Sequence, residues 1–317
     1  MKRRTLLGSL LAAPLAARAD TYPNKPLRVI LTGPVGGLID ISGRAIGDAM
    51  QANLGQPWII DPRPGANGML AGQIFLASPA DGYTLFLTVS GHVALNFLMK
   101  APYDAMKDFQ PIAMIGVSTA LLCVPPGLPA NNLAEFVAYA RANPGKLNQG
   151  SSGTGALQHL AGEMLAYKAG VKFTHIPYKG GAAALTATLA GEVEMSFTTL
   201  LSARPYMQSN RLRILGITAG KRSPAAPELP TIAEGGVPGY EANQWYGVIT
   251  SAKVPKDIVN KLSLALNAAV NAPDVAERLM KDGSTPHGTT PAQFQAHIHS
   301  EIAKWRELIK VAGIRLN

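Results

Sequence analysis

Apolar residues along this chain repeat in one order: a short apolar run, a glycine-rich turn, then apolar positions at helical spacing. Residues 27–31 form the first run, which predicts a buried strand. Gly33, Pro34, Gly36 and Gly37 then turn the chain, and Leu38, Ile41, Ala45, Ala49 and Met50 recur with the period of an amphipathic helix. Residues 58–61 predict a second strand, ended by Pro62 and the turn at 63–68. A short helix over 69–77 and a turn at Asp81-Gly82 lead to a third strand at 83–89. Strand–helix–strand units at this spacing argue for a parallel sheet covered by helices. Ser90-Gly91-His92 opens a further helix at the carboxyl end of a strand, where open α/β sheets bind ligands.

The pattern continues through a long β-rich run at 111–124 that ends at Pro125-Pro126-Gly127, long enough to cross from one domain to another. Asn131 or Asn132 caps a helix through Ala142, and a short strand follows at 146–149. The turn 150–155 and the helix 156–169 make a second strand–glycine turn–helix unit. The strand 172–177, the turn Tyr178-Lys179-Gly180-Gly181 and the helix 182–190 make a third. Strands at 193–198 and 212–218, a proline- and glycine-rich stretch at 223–240, a returning strand at 244–250 and a helical region over 255–314 complete the chain. The expected plan is two α/β domains joined by two crossings, with the C-terminal helices packed on the first.

Each such turn gathers unpaired backbone N–H groups beside the positive end of a helix, which suits a carboxylate or other small anion. The turn at Gly33 is therefore expected to grip one end of an anionic ligand; the plainer reading of each turn is an ordinary tight turn. Asp40 and Arg44 are spaced as a helix ion pair, and Asp40, in the first helical turn, can also hold the turn's amides in shape. Lys179 supplies a point charge to an anion or is simply solvated. His159, one turn past Thr154, reads as a structural hydrogen-bonder more than a catalyst. Trp245 and Tyr246 are expected to pack at a domain crossing, an aromatic lid being the alternative.

Several chemistries are disfavoured. Residues 150–154 lack the Gly-x-Ser-x-Gly spacing of a nucleophile elbow, and Gln158 stands where a dinucleotide fingerprint needs its third glycine. No Gly-Lys-Ser/Thr phosphate loop occurs. His297 and His299 face different sides of a helix, and no ligand-spaced cluster suggests a metal or other cofactor. Cys123 is alone in an apolar run and reads as an inert buried thiol.

The first residues carry an address. Lys2, Arg3 and Arg4, an apolar stretch at 5–15 and Ala17-Arg18-Ala19 read in order as a secretory signal peptide, with Arg3-Arg4 a weak hint of twin-arginine export. The formal net charge of the 317 residues is +9; without the four basic residues of residues 1–19 it is about +5. That excess permits an anionic small molecule, and without a basic run carrying interleaved aromatics it does not suggest nucleic acid.

With these residues in view, the chain closely resembles the Bug-type family of periplasmic solute-binding proteins, which serve tripartite tricarboxylate transporters. The resemblance is carried by Tyr22-Pro23-x-Lys25-Pro26, Gly36-Gly37-x-x-Asp40 with Arg44, Arg63-Pro64-Gly65-Ala66-Asn67-Gly68 and Asp81-Gly82-Tyr83-Thr84-Leu85. It continues through Tyr103-Asp104, Lys107-Asp108-Phe109, Pro111-Ile112, Gly150-Ser151, Gly153-x-Gly155, His159-Leu160-Ala161-Gly162-Glu163 and Pro177-Tyr178-Lys179-Gly180. Leu229-Pro230-Thr231, Glu234-x-Gly236-x-Pro238-Gly239-Tyr240 and Trp245-x-Gly247 close it. The resemblance implies a periplasmic, two-lobed binding protein of type II, a Venus-flytrap with two interdomain crossings. Residues 20–123 and 247–317 would form one lobe and 124–246 the other, after a signal peptide at 1–19. It implies a clamp, a monomer by the logic of opening and closing, that closes on a small carboxylate and presents itself to membrane permease subunits of the transporter. Taken with the turn at Gly33 and the strand ends at Ser90 and Thr198, the candidate ligand contacts are Gly33, Gly36, Gly37, Asp40 and Ser90 in one lobe. In the other they are Ser151, Thr154, Gly155, His159, Tyr178, Lys179 and Thr198. Where the family usually carries Pro-Phe this chain has Thr32-Gly33, a departure that would enlarge the cleft or alter its polarity and makes a bulkier or aromatic carboxylate the expected ligand. The competing readings are an exported hydrolase using Ser151 or Ser152 with His159, and a sensory receptor on the same scaffold.

Overall fold

The computed structural model describes residues 22–33, 35–65, 68–91, 102–104, 106–281 and 283–313. The expected signal peptide at 1–19 and the helix expected to start at His92 lie outside the described residues.

Two sheets share one plan. The first is built from β1 (Leu27–Leu31), β2 (Trp58–Pro62), β3 (Thr84–Val89), β4 (Phe109–Ser118), β10 (Gln244–Ser251) and β11 (Ser284–Pro286), in the order β11-β4-β10-β3-β1-β2. The second contains β5 (Ala120–Val124), β6 (Asn148–Ser151), β7 (Thr174–Pro177), β8 (Met195–Thr199) and β9 (Arg213–Ile217), in the order β7-β6-β8-β5-β9. In each, three strands run parallel, joined by helices: α1 (Leu38–Leu54) and α2 (Met69–Leu76) in the first, α4 (Leu157–Ala169) and α5 (Gly181–Ala190) in the second. The helix between β5 and β6 is α3 (Leu133–Ala142), capped by the Asn132 side chain on the Glu135 N–H at 2.9 Å. The expected parallel sheets are thus mixed: β10 enters the first sheet antiparallel to β3 and β4, and β5 enters the second antiparallel to β8 and β9. Both are strands that arrive from the other sheet, so no crossover helix fixes their direction.

The crossings are short. β4 and β5 belong to different sheets with Thr119 alone between them. The run expected over 111–124 is therefore one extended segment that changes sheets. The return crossing passes beside it: Thr119 Oγ1 donates to Asn243 Oδ1 at 3.5 Å, while Thr218 accepts from Ala120 N–H on Oγ1 and from Ala242 N–H on its carbonyl. Trp245 stacks edge-on against Phe294 with centroids 5.3 Å apart, so it packs at the crossing as core. Cys123 is fully buried, and burial pushes its thiol up, away from reactive thiolate.

The C-terminal region departs from the expected all-helical run. After α7 (Lys256–Val270) and α8 (Pro273–Lys281), β11 adds a three-residue edge strand beside β4, too short to show a period. A helix absent from the expectation, α6 (Leu200–Gln208), follows β8 and is capped by Thr199. The last helix, α9 (Pro291–Ala312), serves both lobes. Its Phe294, Ile298 and Ile302 pack with Phe86, Phe109 and Trp245 of the first. Its Trp305, Leu308 and Ile309 join Leu160, Leu165 and Tyr240 in the core of the second. The expectation had all the C-terminal helices on the first lobe. Periodicity gives a helix an apolar face but not its partner, and a helix of this length spans about 33 Å.

Truncating the far end of α9 should therefore unfold the second lobe more than the first. Trp305→Ala is expected to lower unfolding free energy by about 3–5 kcal/mol in chemical denaturation.

Candidate functional site

The site lies between the sheets, where two helices begin. α1 starts after the 33–37 turn and α4 after the 151–156 turn. Both turns line a single cleft of about 600 Å³. The first lobe contributes Thr32, Gly33, Gly37, Leu38, Ile39, Pro64, Gly65, Gly68, Val89, Ser90 and Gly91. The second contributes Ser152, Gly155, Ala156, Leu157 and Gln158, with Gln244 entering from the crossing. None of the described residues lining the cleft carries a charge.

Helix geometry leaves donors at both ends of this space. In α1 the N–H groups of Asp40 and Ile41 both bond back to the Gly37 carbonyl, so those of Leu38 and Ile39 are left over. In α4 the Leu160 N–H reaches the Ala156 carbonyl, which leaves Leu157, Gln158 and His159 as the first-turn donors. Ser90 adds a buried hydroxyl with no hydrogen-bond partner. Two positive helix ends, free N–H groups and a lone hydroxyl around an uncharged, partly apolar space can hold an anion without a cationic side chain.

The turns are held by the same device in each lobe. Gly36 adopts φ +77° and Gly155 φ +78°, both in the left-handed region that favours glycine. The Gly36 N–H donates to Asp40 Oδ2 at 2.9 Å, and the Gly155 N–H donates to His159 Nδ1 at 3.1 Å. One turn further, Arg44 grips Asp40 through Nε at 3.1 Å, and Glu163 Oε1 lies 3.5 Å from His159 Nε2. Burial would raise the Asp40 carboxyl, but the Arg44 guanidinium and the Gly36 N–H outweigh it and hold it below the usual carboxylate range. Behind the second turn the rings of His159 and His175 stack with centroids 3.7 Å apart. His175 Nε2 lies 2.6 Å from Ser151 Oγ, which also accepts from the Gly153 N–H. Ser152 N–H is taken by Gln158 Oε1 at 2.8 Å.

The sequence candidates therefore divide. Gly33, Gly37, Ser90 and Gly155 line the cleft. Gly36, Asp40, Ser151 and His159 lie behind it and fix the turns. Tyr178 packs against Gly150, Lys179 is exposed, Thr198 is buried in β8 and Thr154 sits at the turn; none of these four is brought to the cleft wall. Sequence reasoning missed Ile39, Gln158 and Gln244. A signal for the first two was present: 36–44 (GGLIDISGR) and 155–163 (GALQHLAGE) align without a gap, and Ile39 and Gln158 occupy the same place in both. Beside Gly33, a Cβ would come within 2.9 Å of Ile39 Cγ1, so Ile39 takes part of the room that the missing side chain leaves. No described His, Cys, Asp or Glu cluster has the makings of a metal site.

Two sheets of matching strand order with a cleft between their helix starts define a periplasmic-binding-protein fold. The chain belongs to the tripartite tricarboxylate transporter receptor family, whose model matches residues 43–314. Its relatives include BugT of Bordetella pertussis, 32% identical over 96% of this chain and 94% of BugT, which makes it a Bug-type solute-binding protein. R. palustris Rpa4515, solved with adipate, superposes with a TM-score of 0.81 at 34% identity, covering 93% of this chain and 99% of that one. MatC of Rhodopseudomonas palustris, solved with bound malate, gives 0.77 at 28% identity over 91% and 100%.

Asp40→Ala should cost about 1.5–3 kcal/mol in unfolding free energy, since the buried carboxylate's charged hydrogen bond to the Gly36 N–H is lost. Asp40→Asn should cost less, because its amide oxygen still accepts from Gly36. A second outcome concerns pH. Burial, then the neighbouring His159, push His175 down from 6.5 to about 4. The unfolded chain binds this proton more readily, so stability is expected to fall as pH drops from about 6.5 toward 4 and to be regained above that window. For a half-buried ring the effect is about 1–2 kcal/mol after solvent screening, and His175→Gln should remove it in pH-dependent denaturation curves.

Proposed function

We propose that this protein is an exported, monomeric receptor that captures a small carboxylate between its lobes and delivers it to the permease subunits of a tripartite tricarboxylate transporter. One observation carries the reading: two helix N-termini, one per lobe, border a single cleft whose described lining has no charged side chain. The family model, the signal-like residues 1–19 and relatives solved with adipate and malate support it.

A ligand bridging the two helix starts selects the closed arrangement, because only there does it meet both sets of N–H groups. The proposed contacts are Gly33, Gly37, Ser90 and Gly155, joined by Ile39, Ser152, Gln158 and Gln244. Gly36, Asp40, Ser151 and His159 keep the turns in shape, while Thr154, Tyr178, Lys179 and Thr198 flank the second-lobe turns. Each charge-assisted hydrogen bond contributes about 1.5–3 kcal/mol, enough for a few backbone donors to replace an arginine. Leu38, Ile39, Val89 and Leu157 give the ligand's body an apolar wall, which favours a carboxylate carrying a hydrocarbon or aromatic portion.

Binding without turnover fits the serine. Ser151 is fully buried, its hydroxyl is already engaged by Gly153 and His175, and it is not among the residues lining the cleft. A thermal-shift screen of the exported chain against mono-, di- and tricarboxylates, aliphatic and aromatic, tests the reading. A true ligand at a hundred times its dissociation constant should add about 2.7 kcal/mol to stability and be recovered intact. No shift with any carboxylate class, or conversion of the bound compound, would overturn it.

A further inference from the structure

The two turns that border the cleft are held alike but by groups of different chemistry. Asp40 presents a carboxylate to the Gly36 N–H and stays ionised through its pairing with Arg44. His159, at the matching place in the second lobe, presents an imidazole nitrogen to the Gly155 N–H. That nitrogen accepts only while it carries no proton. A neutral His159 with Nδ1 bare keeps its hydrogen on Nε2, the side that faces Glu163.

We propose that His159 is a positioning residue whose protonation releases the Gly155 turn, so that acidification loosens the second lobe's half of the ligand cleft and leaves the first lobe's half intact. The proposal rests on the cleft being the ligand site, as argued above, and adds its regulation.

His175 of β7 stacks on His159 at 3.7 Å, which opposes a second charge on the pair. Glu163, one turn along α4, lies beside the Nε2 of His159. β6 presents Ser151 and Gln149, which do not titrate in this range; Gln149 Nε2 bonds the His159 carbonyl at 3.4 Å. Tyr240, whose hydroxyl donates to the Ala161 carbonyl, reaches α4 from the loop before β10 and stays neutral. When Nδ1 gains a proton, two donors face each other. The Gly155 N–H then loses its acceptor, and a glycine at φ +78° loses the contact that selects that conformation.

The test uses the ligand-free protein, so it succeeds or fails independently of which solute binds. Imidazole ¹⁵N shifts follow the protonation of His159, and amide exchange corrected for intrinsic pH dependence follows the Gly155 and Gly36 N–H groups. Gly155 protection is expected to fall about tenfold, the equivalent of one hydrogen bond, in step with His159 protonation, while Gly36 protection holds. His159→Asn supplies a neutral amide oxygen as acceptor, as the Asp40 carboxylate does in the first lobe. It should keep Gly155 protected at every pH. The proposal is overturned if Gly155 protection stays level while His159 titrates, or if Gly36 falls with it. It is equally overturned if His159 stays neutral throughout the folded range, or if His159→Asn shows the same step. The wild-type comparison of the two glycines decides the matter even if the variant does not fold.

Discussion

A backbone N–H in each lobe, belonging to a glycine that bends into left-handed space, is captured by a side chain one helical turn later. On that capture the rest of the cleft depends. Asp40 on Gly36 and His159 on Gly155 hold the reversal from strand to helix that brings first-turn residues of both helices to the cleft. Gly43 and Gly162, seven residues beyond, complete the arrangement: a Cβ at either would strike a side chain of the underlying sheet, Leu87 or Gln149. The helices therefore sit close on their strands, and their N-termini point where the strand ends point.

This design gives the cleft its electrostatic character. A binding site lined with arginine is strongly attractive to anions but also strongly hydrated when empty. Here the described lining is neutral, and the positive potential comes from oriented peptide groups that need no reorganisation when an anion arrives. The ionisable groups, Asp40 with Arg44 and the histidine pair with Glu163, are not among the residues lining the cleft and instead set backbone geometry.

Much of this was legible in the chain. The strand–turn–helix rhythm placed β1, α1, β6 and α4, and the long run at 111–124 was recognisable as a crossing because no loop signal interrupts it. Gly33 and Ser90 were legible as cleft residues from the turn and the strand end that they occupy. Other features were not. The antiparallel entry of β10 depends on where the chain returns from, which no local pattern encodes. The His159–His175 stack joins residues from a helix and a neighbouring strand, and spacing alone cannot predict that meeting. Tyr178 and Lys179 look like ligand contacts because their turn resembles the other two, yet their place at the sheet edge sets them beside the cleft wall. The match between 36–44 and 155–163 was present in the letters but hidden by the exchange of Asp-Arg for His-Glu.

The last helix makes a third link between lobes already tied by two adjacent crossings. Two parallel tethers permit a book-like opening about the line that they define. A rigid rod packed into both covers at once resists that motion, since α9 would have to pull either Phe294 or Trp305 out of its core. Any relative motion of the lobes that kept both sets of contacts would therefore have to bend α9 or turn about an axis close to it. The helix is in that sense a strut as well as a lid on two cores: it couples the packing of one lobe to the position of the other.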